Sequence, residues 1–165
     1  MTKMKNRDAH LFSQFVCVPF FMAAVALAPA AQARDERMLF DVDPVLASPA
    51  GKDRFDDTVQ FYFGERPYPQ ALQSFGVHTS ERRTFAPIYT DAEACERAFI
   101  EALAGLRDAA KAAGANAVVS IKSIYKNREF RSETQYECRA GYVATGVALE
   151  GRLVKLPGFS DASDR

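Results

Sequence analysis

The alternation of apolar and polar residues is most regular between residues 91 and 113. Glu93 lies three residues after Thr90, the pattern of a capping box at the start of a helix. Gly114 follows the regular stretch, and glycine commonly ends a helix because it accepts a positive φ. The pattern therefore predicts one long helix from about residue 91 to residue 113. Its buried face has the spacing of Ala92, Cys95, Phe99, Leu103, Leu106 and Ala110.

Runs of β-branched and aromatic residues on both sides of this helix predict strands. Two strands are expected before it, in "DTVQFYFG" and within "FGVHTSERRTFAPIY", where a polar turn is also expected. Three follow it, in "NAVVSIKSIY", "TQYECRA" and "GYVATGVALEGRLVKL", with "KNREFRSE" as a polar turn. This order predicts an α+β fold, an antiparallel sheet of about five strands with the helix packed on one face. Ala117, Val119 and Ile121 are predicted to lie under the helix.

The chain divides into four regions. Residues 1–33 have the composition of a leader, and residues 34–57 are expected to hold short helical turns, with Ser48 and Pro49 placed for a helix start. Residues 58–156 form the predicted α+β domain. Residues 157–165 are a polar tail.

The leader has the three parts of a secretory signal peptide. Basic residues precede an apolar run of 14 residues, "FVCVPFFMAAVALA", and the small-residue pattern Ala31-x-Ala33 comes directly before Arg34. We therefore predict cleavage after Ala33 and a periplasmic location. A membrane anchor fits less well, since a spanning helix needs about 20 apolar residues and Pro19 interrupts the run. Lipidation at Cys17 fits less well because Val16 is not a small residue.

Charge and cysteine content follow from this prediction. The full chain has 21 basic and 21 acidic residues, and the segment after Ala33 has 18 basic and 20 acidic ones. A balance so near neutrality does not favour nucleic acid as a partner. Cys95 and Cys138 remain as a pair in an oxidising compartment, which predicts a disulfide. Two separate buried thiols are the alternative.

The glycine in "KAAGANAVVSIKS" raises the question of a phosphate site. Such a site needs glycines after a strand, opening a helix, whereas Gly114 closes one. The pattern G-x-x-x-x-G-K-[ST] is absent from the sequence, so ATP is not expected as a ligand. Gly114 and Asn116 are interpreted as a structural joint between helix and strand, with Asn116 helping the turn.

Other catalytic or metal-binding patterns are also absent from the sequence. His78 is the one histidine after Ala33, and neither H-E-x-x-H, C-x-x-C nor G-x-S-x-G occurs. We therefore expect no metal, no cofactor and no enzymatic activity. A hydrolase with an unrecognised site remains a minor alternative.

One segment is a candidate binding surface. Basic and aromatic residues alternate there in a manner typical of single-stranded nucleic-acid binding. Glu129 and Glu133 dilute the charge, and an exported protein meets an anionic envelope component or a partner protein instead. The alternative is an ordinary solvated hairpin. The candidate residues are Lys126, Arg128, Phe130 and Arg131.

The segments "AKAAGANAVVSIKS" and "YECRAGYVATGVAL" resemble a small exported family of proteobacteria that has no established activity. Its members often carry the label excinuclease ATPase subunit, which the missing phosphate loop contradicts here. The helix, "GANAVV" and A-x-G-x-A pattern, over about residues 91–149, is also similar to two wider groups. One is the YbjQ-like family of small α+β oligomers, once called heavy-metal-binding. The other is the disulfide-pinned domain of the outer-membrane lipoprotein that senses stress for the Rcs phosphorelay.

The resemblance implies a helix-to-sheet disulfide and a homo-oligomer, but neither a signalling role nor a metal site. This chain has one cysteine pair after the leader and no clear lipidation cysteine. The leading hypothesis is a non-enzymatic periplasmic protein that binds an envelope partner or takes part in a stress response. The alternative is a small-ligand or metal-binding oligomeric module of YbjQ-like type.

Overall fold

A computed structural model of the protein describes residues 34–158. The predicted signal peptide and residues 159–165 of the predicted tail lie outside this range. The fold is α+β, as predicted. The elements in chain order are β1 (Glu36–Asp41), α1 (Val42–Ala47), α2 (Pro49–Arg54), β2 (Gln60–Phe63), β3 (Gln73–Phe85), a 3-10 helix (Ala86–Ile88), α3 (Asp91–Ala113), β4 (Ala117–Tyr125), β5 (Arg128–Phe130), β6 (Gln135–Ala140) and β7 (Ala144–Lys155).

All seven described strands form one sheet with β7 at its centre. The path through the sheet is β1-β6-β7-β4-β2, while β3 pairs with β7 and β5 pairs with β4. One side of β7 is lined by β3 along most of its length, and the other side is shared by β6 and β4. Every pairing is antiparallel except that of β2 with β4, which is parallel.

The predicted polar turn within residues 75–89 is wrong. Residues 81–83 continue β3 and pair with residues 146–148 of β7 in unbroken register. Within residues 34–158, β3 pairs with no strand other than β7, so it is an edge strand whose side chains are mostly exposed. Charged residues are tolerated at positions 81–83 because their side chains are exposed, and they discourage pairing with another chain.

Helix α3 has the predicted ends. The Thr90 hydroxyl accepts a hydrogen bond from the Glu93 backbone, and the Glu93 carboxylate accepts one from the Thr90 backbone at 2.9 Å. This backbone N–H lowers the pKa of Glu93. At the other end, Gly114 has φ of 77° and donates to the carbonyls of Ala110 and Lys111. The capping box and the glycine stop are confirmed.

The role of Asn116 in the joint between helix and strand differs from the predicted one. Asn116 is buried, and its side chain forms a pair of hydrogen bonds with the backbone of Leu156, at 2.7 and 3.0 Å. Its backbone also donates to Val154 and accepts from Gln60. Asn116 therefore joins β2, β4 and the end of β7, while the turn itself rests on Gly114.

Helix α3 is attached to β6 at two successive positions. Cys95 and Cys138 form a disulfide, with Cα atoms 5.8 Å apart. One helical turn further on, the Phe99 ring stacks on Tyr136 with 3.9 Å between centroids. The Tyr136 hydroxyl is buried without a hydrogen-bond partner among the described residues, and this burial raises the pKa of Tyr136. The predicted disulfide is thus present, and it links the helix to the sheet.

A bulge in β4 corrects the prediction for Ala117, Val119 and Ile121. Ser120 has φ of 53°, and the register with both neighbouring strands shifts by one residue at this point. Side chains before and after the bulge therefore alternate out of step. Val118 and Ile121 pack in the core with α3, whereas Ala117 and Val119 pack in a second cluster on the other face.

Two strands, β1 and β5, were not predicted. Strand β1 precedes α1 without a turn, and it pairs with β6 along its whole length. Strand β5 has three residues and follows a two-residue turn in which Lys126 and Asn127 both have positive φ. Such type I′ turns usually contain glycine, and "KN" does not give that signal. Segment 34–57 also provides the predicted helices, with Ser48 capping α2.

We expect the double substitution Cys95→Ala/Cys138→Ala to lower the free energy of unfolding by about 4 kcal/mol. The disulfide closes a loop of 43 residues, and its loss restores that loop's entropy to the unfolded chain. Urea unfolding of the oxidised protein and the variant measures the difference. Wild-type protein reduced with a thiol serves as the control and should match the variant. Equal unfolding midpoints for oxidised wild type and variant would contradict the expectation.

Candidate functional site

A groove of about 770 Å³ lies on the face of the sheet opposite α3. On β7, Thr145, Val147 and Leu149 are buried and turn towards the helix. The alternate residues Ala144, Gly146 and Ala148 line the groove and form a floor of small side chains. This floor is the A-x-G-x-A pattern seen in the sequence.

The walls of the groove come from three places. Strand β3 provides one wall, and the hairpin between β4 and β5 provides the other. Residues at the start of β1 and the end of β6 close one end. The polar residues that line the groove are Arg34, Asp35, Thr79, Glu81, Arg83, Tyr125, Lys126, Asn127, Glu129, Arg139 and Glu150.

The hairpin is held over one end of the groove by Asp35. The Asp35 carboxylate accepts hydrogen bonds from the Tyr125 hydroxyl at 2.5 Å and from the Lys126 ammonium group at 3.1 Å. The hydrogen bond from Tyr125 is the main reason that the pKa of Asp35 is lowered. Asp35 is therefore ionised at neutral pH, and it fixes the position of the hairpin relative to β1.

Arg139 supports the same hairpin from below. Its guanidinium group lies 4.2 Å from the centre of the Tyr125 ring, within the range of a cation–π interaction. It also donates to Glu137 at 2.8 Å, and Glu137 accepts a second bond from Arg37 at 2.6 Å. Because Glu137 and Arg139 are largely shielded from solvent, this chain of contacts is more rigid than a surface ion pair.

Lys122 organises the other end of the groove. Its ammonium group contacts Glu129 on β5 and Glu150 on β7, the latter at 2.9 Å. The hydrogen bond to Glu129 is the main reason that the pKa of Lys122 is raised, although burial of the side chain opposes the shift. The same contact lowers the pKa of Glu129. Lys122 therefore keeps its charge and connects two strands below the groove.

The charges that line the groove are balanced. Arg34, Arg83, Lys126 and Arg139 are matched by Asp35, Glu81, Glu129 and Glu150. Each of the four cations also has a carboxylate partner within 4 Å. A groove of this kind does not attract a polyanion, because it has no excess of positive charge. It suits a ligand that is neutral or carries both signs of charge.

The structure does not bring the four residues of the candidate surface into one site. Lys126 lines the groove, and Arg131 is paired with the exposed carboxylate of Glu129 at 2.8 Å. The ring of Phe130 lies below Arg37, 4.9 Å from its guanidinium carbon. Arg128 and Phe130 do not line the groove.

The described residues offer no evident metal centre. Within residues 34–158, no group of three or more histidine, cysteine, aspartate or glutamate side chains is arranged to hold a metal ion. His78 is exposed on β3 and does not line the groove.

The groove itself was not predicted from the sequence. A usable signal was present, since small residues alternate with buried ones from Ala144 to Leu149. This alternation shows that one face of β7 is nearly flat, but it does not show whether another element covers that face.

Comparisons with protein-family models, with curated proteins and with solved structures give no match to this chain. The functional argument therefore rests on the chain's own residues and their geometry.

We expect Tyr125→Phe to lower the free energy of unfolding by about 1 kcal/mol near neutral pH, because it removes the hydroxyl that donates to Asp35. The hydrogen bond lowers the pKa of Asp35 below its ordinary value of 3.8. Its stabilisation is therefore complete above that value and is lost as the pH falls through the lower, folded-state pKa. Urea unfolding at about pH 7 and about pH 2.5 should show the difference shrinking.

Tyr68→Phe provides the matched control, because Tyr68 is exposed and does not contact Asp35. Its effect on stability should not change over the same pH range. A Tyr125→Phe difference that is equal at both pH values would rule out Asp35 as the acceptor that matters.

Proposed function

We propose that this chain is a non-enzymatic periplasmic protein that binds an extended segment of a cell-envelope partner protein in the groove. The observation that carries the proposal is the groove's flat floor of small side chains between two polar, charge-balanced walls. The signal-peptide pattern supports export. The Cys95–Cys138 disulfide is compatible with an oxidising compartment.

An extended polypeptide is the ligand that best fits these walls. Small side chains at Ala144, Gly146 and Ala148 allow a backbone to approach the sheet closely. Polar groups on both sides can pair with backbone amides and with side chains of either charge. Because the groove is lined by equal numbers of positive and negative side chains, we favour a protein over an anionic envelope component.

The protonation state of the carboxylates that line the groove favours a binding function over a catalytic one. A general acid or base is most effective when its pKa lies near the working pH. Asp35 and Glu129 instead have lowered pKa values and remain ionised, each held by a cation. Both carboxylates therefore act as permanent negative charges that position the hairpin and the partner.

Photocrosslinking in cells that express the full chain tests the proposal. A photoreactive residue at Thr79, in the groove wall, should capture an envelope protein. The same residue at Lys52, exposed on α2 and outside the groove, serves as the control and should not capture it. Capture from both positions, or from neither, would count against a partner in the groove.

Filling the groove provides the second arm of this test. Ala148→Leu adds three carbon atoms to the groove floor and should abolish the crosslink from Thr79. Ala112→Leu makes the same change on the exposed surface of α3 and should leave the crosslink intact. A crosslink that survives Ala148→Leu would place the partner elsewhere.

A second candidate function is that of a small-ligand module, as in the sequence-based alternative. The observation in its favour is the groove volume, since small-molecule sites typically measure about 300–1,000 Å³. The balanced charges then select a zwitterion, such as a free amino acid or a dipeptide. A metal ion is less well supported, given the donor groups of residues 34–158.

Thermal unfolding tests this second candidate. Amino acids and dipeptides at concentrations far above their dissociation constants should raise the melting temperature by roughly 5 °C. Zinc and inorganic phosphate serve as comparison probes. The rise should disappear in Ala148→Leu and persist in Ala112→Leu. A melting temperature that no probe changes would contradict the small-ligand function while leaving the partner proposal intact.

A further inference from the structure

Four large apolar side chains are exposed at one end of the sheet. The exposed fractions are 57% for Phe85, 67% for Ile88, 72% for Tyr142 and 67% for Val143. A soluble surface rarely exposes several such side chains together without a function. We call these four residues the apolar end.

The apolar end is built from two adjoining segments of the chain. One is the end of β3 with the 3-10 helix that follows it, and the other is the turn between β6 and β7. The Ala86 backbone donates to the Val143 carbonyl at 3.0 Å, and Gly141 donates to Ala144 at 3.1 Å, closing the turn. Phe85 pairs with Ala144 in the ladder. Both segments are thus held by backbone hydrogen bonds.

Two arginines lie beside tyrosines at the same end. Arg34 lies 6.0 Å from the centre of the Tyr142 ring, and Arg97 lies 4.4 Å from that of Tyr89. Arg34 also pairs with Asp91 and Glu36. Arg97 is exposed on α3 and interacts electrostatically with Glu93, and its guanidinium can also meet an external anion.

This combination of side chains suits the boundary between the hydrocarbon core and the headgroups of a bilayer. Aliphatic and aromatic side chains enter the apolar region, tyrosine rings lie at the interface, and basic groups meet lipid phosphates. A specific protein interface needs roughly 800 Å² on each partner, more than four side chains on two short segments supply. A bilayer sets no such minimum, because each inserted side chain adds to the affinity independently.

We propose that the apolar end contacts a phospholipid bilayer surface. Phe85, Ile88, Tyr142 and Val143 enter the headgroup region, and Arg97 binds a lipid phosphate. The contact is weak and reversible, because the inserted area is small. It goes beyond the proposed function and does not depend on it, since none of Phe85, Ile88, Tyr142 or Val143 lines the groove.

Vesicle flotation tests this inference. The chain from residue 34 onward should float with vesicles of phosphatidylethanolamine and phosphatidylglycerol in equal amounts. Ile88→Ser/Val143→Ser should bind at least about tenfold more weakly, because it removes apolar groups from the headgroup region. Leu72→Ser/Val77→Ser is the matched control, since both residues are exposed apolar side chains towards the other end of β3, and it should float like wild type.

The absence of tryptophan from the sequence provides a second readout. Tyr142→Trp introduces a single fluorophore at the apolar end, and its emission should shift to shorter wavelength when vesicles are added. Leu72→Trp should show no shift. This measurement uses the folded protein and does not depend on the stability of the serine variants.

Three results would overturn the inference. The first is the absence of flotation and of a Tyr142→Trp shift. The second is equal loss of flotation in both serine pairs. The third is dimerisation without lipid that Ile88→Ser/Val143→Ser abolishes, which would make the apolar end an interface between copies of this chain. Ala148→Leu should still float, so a failure of the groove proposal is distinguishable from a failure of this one.

Discussion

The attachment of α3 to β6 is the constraint on which the rest of the architecture depends. The Cys95–Cys138 bond and the Phe99–Tyr136 stack fix the helix to the sheet at two points one helical turn apart. Strand β6 pairs in turn with β1, which positions Asp35 and Arg37 next to the hairpin. The helix covers one face of the sheet, and the part of the other face around Ala144, Gly146 and Ala148 stays open as the groove.

The central strand β7 shows how one sequence serves both faces. From Ala144 to Leu149, the buried residues Thr145, Val147 and Leu149 are branched or hydroxylated, and the residues between them are small. The groove is therefore deep because its floor has only small side chains, and it is polar because its walls carry charged side chains. Cation–carboxylate pairs connect β4 with β5 and β7, the hairpin with Asp35, and β1 with β6. Removing one such charge would leave its partner unpaired in a partly shielded site.

Local signals allowed the sequence to predict the long helix, its capping box and its glycine stop. They are set by residues a few positions apart, as with Thr90 and Glu93. The disulfide was also predictable, because only two cysteines follow the predicted leader. The bulge at Ser120 and the groove depend on pairing between distant segments, whereas β5 pairs with β4 in a local hairpin. The hairpin turn at Lys126 and Asn127 lacks glycine, and the small residues of β7 do not reveal whether their face is covered.

The bulge at Ser120 switches the face of the sheet to which each later side chain of β4 points. Without it, Val118 and Ile121 would point to opposite faces, and Lys122 would have to share its face with Val118. The opposing strand is matched to this change, because a Cβ atom at Gly151 would lie 2.5 Å from Val118. An added residue in one strand is thus accompanied by a missing side chain in the next. The two positions are coupled, since a side chain at Gly151 would collide with Val118, which packs in the core with Ile121 across the bulge.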